Sequence, residues 1–246
     1  MKFFTASLPA RHGFFTRNGG VSAAPYNSLN CSFSGGDSPD LVSQNRAIVA
    51  GTFGLPPDRL LGLRQIHTAD VVVVTVPWAA GKGPDADAMV STIPGLGLGV
   101  ITADCAPVLV CDREGTIIGA AHAGWRGALA GVLEATVSTM REMGAKDLVA
   151  AIGPCIHQAS YEVSDDLRDP VLERDRRDAD LFTLGRPGHW QFDLPGYCAR
   201  RLRATGVVTQ ILAHDTYADG QNFFSHRRRV HAREAAIGHQ ISVICL

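Results

Sequence analysis

Thiols and imidazoles are the side chains best placed to do chemistry near neutral pH, and the sequence holds six cysteines and nine histidines. The segment Thr102-Ala103-Asp104-Cys105-Ala106-Pro107 leads into an apolar stretch ending at Cys111. The polar run Asp112-Arg113-Glu114-Gly115 follows, then a second apolar stretch from Thr116 to His122. Two apolar runs separated by four turn residues predict a β-hairpin. If Cys111 pairs with Thr116, counting back along both strands sets Cys105 opposite His122, with Cβ atoms about 5 Å apart. A thiol and an imidazole at that distance can share a metal ion or form a thiolate–imidazolium pair. A slip of one residue would turn the two side chains to opposite faces, and Pro107 removes one ladder donor. Cys105 and Cys111, on one strand, stand ~20 Å apart and cannot be co-ligands. His67, in Arg64-Gln65-Ile66-His67-Thr68-Ala69-Asp70, is a third possible donor that spacing does not place. Three protein ligands with an open fourth position make the catalytic zinc pattern, yet the sequence has neither Cys-x-x-Cys nor His-Glu-x-x-His. A cysteine beside a strand is also commonly inert core, and that is the expectation for Cys111, Cys155, Cys198 and Cys245.

Other segments offer charge. His122-Ala123-Gly124-Trp125-Arg126-Gly127 joins the hairpin to a helix. Its glycines permit close backbone approach to a ligand, and a helix start attracts anions. Arg126 in the first turn opposes the helix dipole, so it either shares an anion with the helix start or is a solvated surface arginine. Arg17, beside the turn Asn18-Gly19-Gly20, presents the same choice. Asp85 and Asp87 share one face if the chain is extended there. Asp104 would point away from Cys105, to orient a neighbour or cap a turn. The cluster Ser225-His226-Arg227-Arg228-Arg229 is small enough to be a solvated turn.

These groups need a scaffold. Short β-branched runs predict strands at Val71–Val76, Leu98–Ala103, Pro107–Cys111, Thr116–Ala121, Leu148–Ile152, Val207–Ala213 and Ile241–Cys245. Ser38-Pro39-Asp40 opens a helix to about Val49. A second helix is expected over Arg126–Met143, with Gly144 ending it. A third is expected from Asp193 to Leu202, and the charge run Glu173–Asp180 reads as solvated. Strands outnumber helices, which favours a mixed α/β or α+β architecture over a regular βαβ repeat.

Composition sets bounds. The chain has 246 residues, with 46% hydrophobic and 19% charged, enough for a substantial core. With no linker or repeat visible, one domain over residues 1–246 is expected. A net charge of −1 lacks the basic excess of a nucleic-acid binder. No apolar run is long enough to span a bilayer. No secretory signal is visible at the N-terminus, which implies reduced thiols and a cytoplasmic location.

Taken together, Gly13–Ser22, Ser28–Asn30, Gln65–His67, Asp87–Val90, Thr102–Pro107, His122–Gly127, Ile152–Ile156 and Ser225–Arg228 resemble the motifs of the YfiH-like family, in order along nearly the whole chain. That family carries the label laccase-like multicopper polyphenol oxidase. The resemblance implies a mixed-sheet sandwich with flanking helices, a fold shared with cytotoxic-necrotizing-factor-like toxins that use a Cys–His pair. It implies purine nucleoside phosphorolysis (adenosine, inosine, methylthioadenosine) and adenosine deaminase activity, with purine nucleosides and phosphate as partners. It also brings a link to peptidoglycan editing. By motif position, the metal ligands match His67, Cys105 and His122, with zinc expected and copper as the alternative. The matching arginines Arg17, Arg126 and Arg228 become candidate phosphate or substrate contacts. Cys105, His122 and Asp104 form the candidate catalytic set, with Asp87 the other carboxylate for moving a proton. A monomer or weak oligomer is expected, without nucleic acid or membrane. The tail departs from the family: Arg229-Val-His-Ala-Arg233 stands where a Thr-Gly-Arg segment is usual. Against true laccase chemistry, a four-copper site takes about ten histidines, many in His-x-His pairs. This chain has nine and no such pair. A metal-free Cys–His hydrolase or amidase remains the rival enzyme, and a metal-binding protein without turnover the non-enzymatic alternative.

Overall fold

The alternation of apolar side chains on two sets of strands decides the architecture. The structure is a computed structural model describing residues 2–246. One sheet has six strands in the order Val208–Ile211, Val149–Ile152, Ala106–Cys111, Ile118–Ala123, Ala88–Ser91 and Val71–Val73. A second has five, in the order Phe3–Phe4, Arg11–Phe15, Gln240–Cys245, Gly97–Thr102 and Leu60–Leu61. Leu109 and Ile118 of the first sheet pack against Leu98, Val100 and Ile244 of the second in a common core. Their strand neighbours point the other way, as a period of two requires. Val108, Val110 and Ala121 meet Leu133, Val137 and Tyr197 of the helices Val132–Glu142 and Leu194–Ala204. Ile241 and Val243 meet Val49 and Ala50 of the helix Pro39–Thr52. The result is a helix–sheet–sheet–helix sandwich of mixed α/β class, with a small sheet (Glu162–Val163, Trp190–Phe192, Phe182–Leu184) at one side. No described helix is long and apolar enough to cross a membrane.

The expected strands are present with shifted ends, and the Val71–Val76 run is a strand only over Val71–Val73. The hairpin differs in register. Cys111 pairs with Ile118, not Thr116, and Pro107 stands opposite His122. Asp112 is the cause: its carboxylate accepts from the amides of Thr116 and Ile117 and from the Thr116 hydroxyl, lengthening the turn. The slip is two residues, so every side chain keeps its face.

The helix expected over Arg126–Met143 is two helices, Trp125–Ala130 and Val132–Glu142. Gly131 breaks it at φ 103°, a left-handed conformation that costs other residues about 1–2 kcal/mol. The charge run at 173–180 is not simply solvated either: Asp178 is buried and accepts from Arg200 at 2.9 Å. The Gly131 break also sets a prediction. Gly131→Ala lowers folding stability by about 1 kcal/mol, read from the midpoint of a urea titration.

Candidate active site

The site is assembled where the hairpin, the loop before the Val71–Val73 strand and the start of the Trp125–Ala130 helix converge. The ligand atoms of His67, Cys105 and His122 all lie within 4.8 Å of one another, the only such trio among the described residues. The Cys105 sulfur is 3.9 Å from His67 Nε2. Cys105 sits one residue before its strand, and continuing the hairpin register puts Gly124 opposite it. That glycine makes the approach possible. A Cβ there would lie 2.9 Å from the His67 ring and 3.0 Å from the thiol.

Asp87 holds the trio in place. Its buried carboxylate accepts from His122 Nδ1 at 2.7 Å. The other oxygen accepts from the amides of Ile66 and Thr68 and from the Thr68 hydroxyl. These bonds clamp the loop that carries His67, whose φ is 63°. They also leave Nε2 of His122 turned to the Cys105 thiol rather than to Asp87, the arrangement that backs a metal-ligating histidine. The expectation that Asp85 and Asp87 share a face is not met. Asp85 turns outward to pair with exposed Arg64, while Asp87 turns inward.

Electrostatics follow from this packing. Burial pushes the Asp87 carboxyl up, but His122 and the Thr68 donors outweigh it and hold it below the usual range. Burial would also raise the Cys105 thiol, yet the neighbouring His122 and His67 draw it well below the ordinary thiol value. Burial lowers His122, and the Cys105 and Asp87 charges more than reverse that. The other five cysteines are free and buried. Burial raises the thiol of Cys31 to about 12 and pushes those of Cys111, Cys155, Cys198 and Cys245 upward as well.

The trio opens into a cavity of about 790 Å³. Phe33, Trp125 and Tyr161 give it aromatic surface, and Arg126 lies on its wall. Arg17 and Arg228 do not line it. The Arg17 guanidinium donates to Asn27 and Gly220 and stacks on Phe224 at 4.4 Å. Arg228 donates to the carbonyls of Thr216, Tyr217 and Phe223. Both tie loops together, so the sequence expectation of substrate contact holds a place in the cavity only for Arg126. Asp104 lines the cavity, but its carboxylate is engaged by the Thr216 and Ser225 hydroxyls and the Arg227 amide. It anchors the C-terminal wall at a strained φ of 93°.

Sequence reasoning passed over Arg227, Tyr161 and His239, which also line the cavity. Burial, with smaller contributions from His122 and His226, pushes His239 down to about 4, so it is neutral. Only the choice between Arg227 and Arg228 had a local signal. Adjacent helical residues point about 100° apart, so one of the pair had to face elsewhere.

A family model described as multi-copper polyphenol oxidoreductase laccase matches residues 11–246. The chain belongs to this family, the one the YfiH-like motifs indicated. Purine nucleoside phosphorylase YfiH of Escherichia coli is 40% identical over 216 residues, 87% of this chain and 86% of that protein. Purine nucleoside phosphorylase SCO2081 of Streptomyces coelicolor is 44% identical over 164 residues, 66% of this chain and 68% of that protein. Among solved structures, a Neisseria meningitidis protein, NMB0706, superposes with a TM-score of 0.88 at 37% identity, covering 100% of this chain and 99% of its own. Bacillus licheniformis YfiH gives 0.89 at 28% identity, covering 96% and 92%.

A metal ion fits the trio by its chemistry. Two imidazoles and a thiolate are borderline-soft donors suited to zinc, and one imidazole already has its supporting carboxylate. Two outcomes are expected. In metal-free protein, iodoacetamide labels Cys105 down to about pH 6, with the rate falling as the pH drops through that point, and His122→Gln moves the midpoint upward. Asp87→Asn weakens metal binding about 10–100-fold in competition with a chromogenic chelator.

Proposed function

We propose that this protein is a zinc-dependent purine nucleoside phosphorylase with adenosine deaminase activity. The observation that carries the reading is the His67–Cys105–His122 trio, backed by Asp87, opening into a cavity lined by aromatic rings and by Arg126. The relatives named purine nucleoside phosphorylase, matched over most of both chains, support it.

His67, Cys105 and His122 would hold the ion, which would supply Lewis acidity and an activated water at its open position. Asp87 keeps His122 in one tautomer, and its bonds to Ile66 and Thr68 keep His67 facing the thiol. The rings of Phe33, Trp125 and Tyr161 give the cavity aromatic surface suited to a purine. Asp104 fixes Arg227 and the Ser225 segment against the cavity. A cytoplasmic location and a monomeric or weakly associated state go with this reading.

A second reading rests on the depressed thiol of Cys105 beside two imidazoles, which suits a Cys–His hydrolase acting on amide or cell-wall peptide substrates. A multicopper oxidase is disfavoured because the described residues hold one cluster of three donors and no other. One experiment separates these readings. Metal-analysed protein is incubated with inosine or adenosine, with and without phosphate, beside a chelated sample and Cys105→Ala. Phosphate-dependent release of hypoxanthine or adenine, lost with the metal or the thiol, is the expected result. No turnover by a zinc-loaded sample overturns it, and amide hydrolysis that survives chelation establishes the hydrolase.

A further inference from the structure

Arg126 and Arg227 are cavity-lining arginines without a carboxylate. Neither guanidinium forms an ion pair among the described residues. Both line the 790 Å³ cavity, and both also line an adjoining one of about 410 Å³. They therefore stand where the two spaces meet, together with Trp125 and Tyr161, which border both as well.

The way each guanidinium is held matters. Arg126 lies over the Trp125 ring at 4.4 Å, and Arg227 over the Tyr161 ring at 5.4 Å. The ring attracts the cation, and among the described residues neither guanidinium donates a hydrogen bond. The backbone amide of Arg227 is fixed by Asp104 at 2.6 Å. Arg17 and Arg228 differ because their edges are filled by loop oxygens. Two positioned cations with free N–H edges match the oxygens of a phosphate dianion. The nearby Arg186 is a contrast: it borders only the outer space and is paired with Glu162.

The structure assigns Arg126 and Arg227 as an oxyanion site at the junction of the two cavities, taking the phosphate that phosphorolysis consumes. The assignment rests on the phosphorylase reading for its ligand. In that reaction a phosphate oxygen bonds to C1′ as the C1′–N9 bond breaks. The bonding pair leaves with the purine, and the proton given up by hydrogen phosphate ends on the base.

The test is binding of inorganic phosphate to the metal-loaded protein by calorimetry, beside steady-state kinetics with inosine. Arg126→Gln and Arg227→Gln are each expected to weaken phosphate binding about tenfold or more. The KM for phosphate should rise in step while the KM for inosine holds, and Arg227→Lys should recover part of the loss. Arg186→Gln should change nothing. Melting temperature and metal content are followed for every variant, so that a misfolded protein is recognised. Phosphate-dependent turnover with an unchanged phosphate KM in both glutamine variants overturns the site and leaves the phosphorylase reading standing. Phosphate binding that the variants abolish, in a wild-type protein without phosphorolysis, keeps the oxyanion site and overturns the phosphorylase reading. Phosphate binding that all variants retain also overturns the site.

Discussion

A single buried carboxylate organises the site. Asp87 has no accessible surface, and both its oxygens are engaged: one by His122, the other by the loop around His67. A buried charge without partners would be very costly, so the loop, the strand and the imidazole must meet at this point for the fold to close. The condition that lets Asp87 be buried is also the condition that brings two imidazoles to one thiol. Stability and site geometry are thus coupled through one residue.

The thiol arrives by a different route. Cys105 lies just outside its strand, and it reaches the imidazoles because the residue across the hairpin is Gly124. Asp104, next to it, turns the other way and fastens Thr216, Ser225 and the Arg227 amide. Adjacent side chains on opposite faces therefore join the N-terminal half of the site to the C-terminal segment. The carboxylate of Asp104 acts on Arg227 through its backbone, and Arg227 in turn presents its side chain to the cavity.

The helix His226–Ala232 borders the larger cavity through His226 and Arg227 and the smaller one through Arg227, Val230 and His231. Of these, only Val230 and His231 lie outside the segments that resemble the family motifs, while the trio and Asp87 lie within them.

The sequence by itself determined seven of the eleven strands of the two larger sheets to within a few residues, since period-two burial and turn chemistry are local properties; Phe3–Phe4, Arg11–Phe15, Leu60–Leu61 and Ala88–Ser91 were not among them. It also determined that Cys105 and His122 face one way, and a register shift of two residues did not disturb that. The motifs added His67 to the set. Only the tertiary structure decided which carboxylate serves the site, because Asp104 and Asp87 were both candidates by motif and differ in what they meet: Asp87 bonds His122, while Asp104 is taken up by Thr216, Ser225 and the Arg227 amide. It likewise decided among the arginines. Arg17, Arg126, Arg227 and Arg228 carry the same charge, and their roles depend on whether neighbouring carbonyls fill the guanidinium edge. Those carbonyls come from loops up to 203 residues away along the chain, and no local pattern encodes that distance.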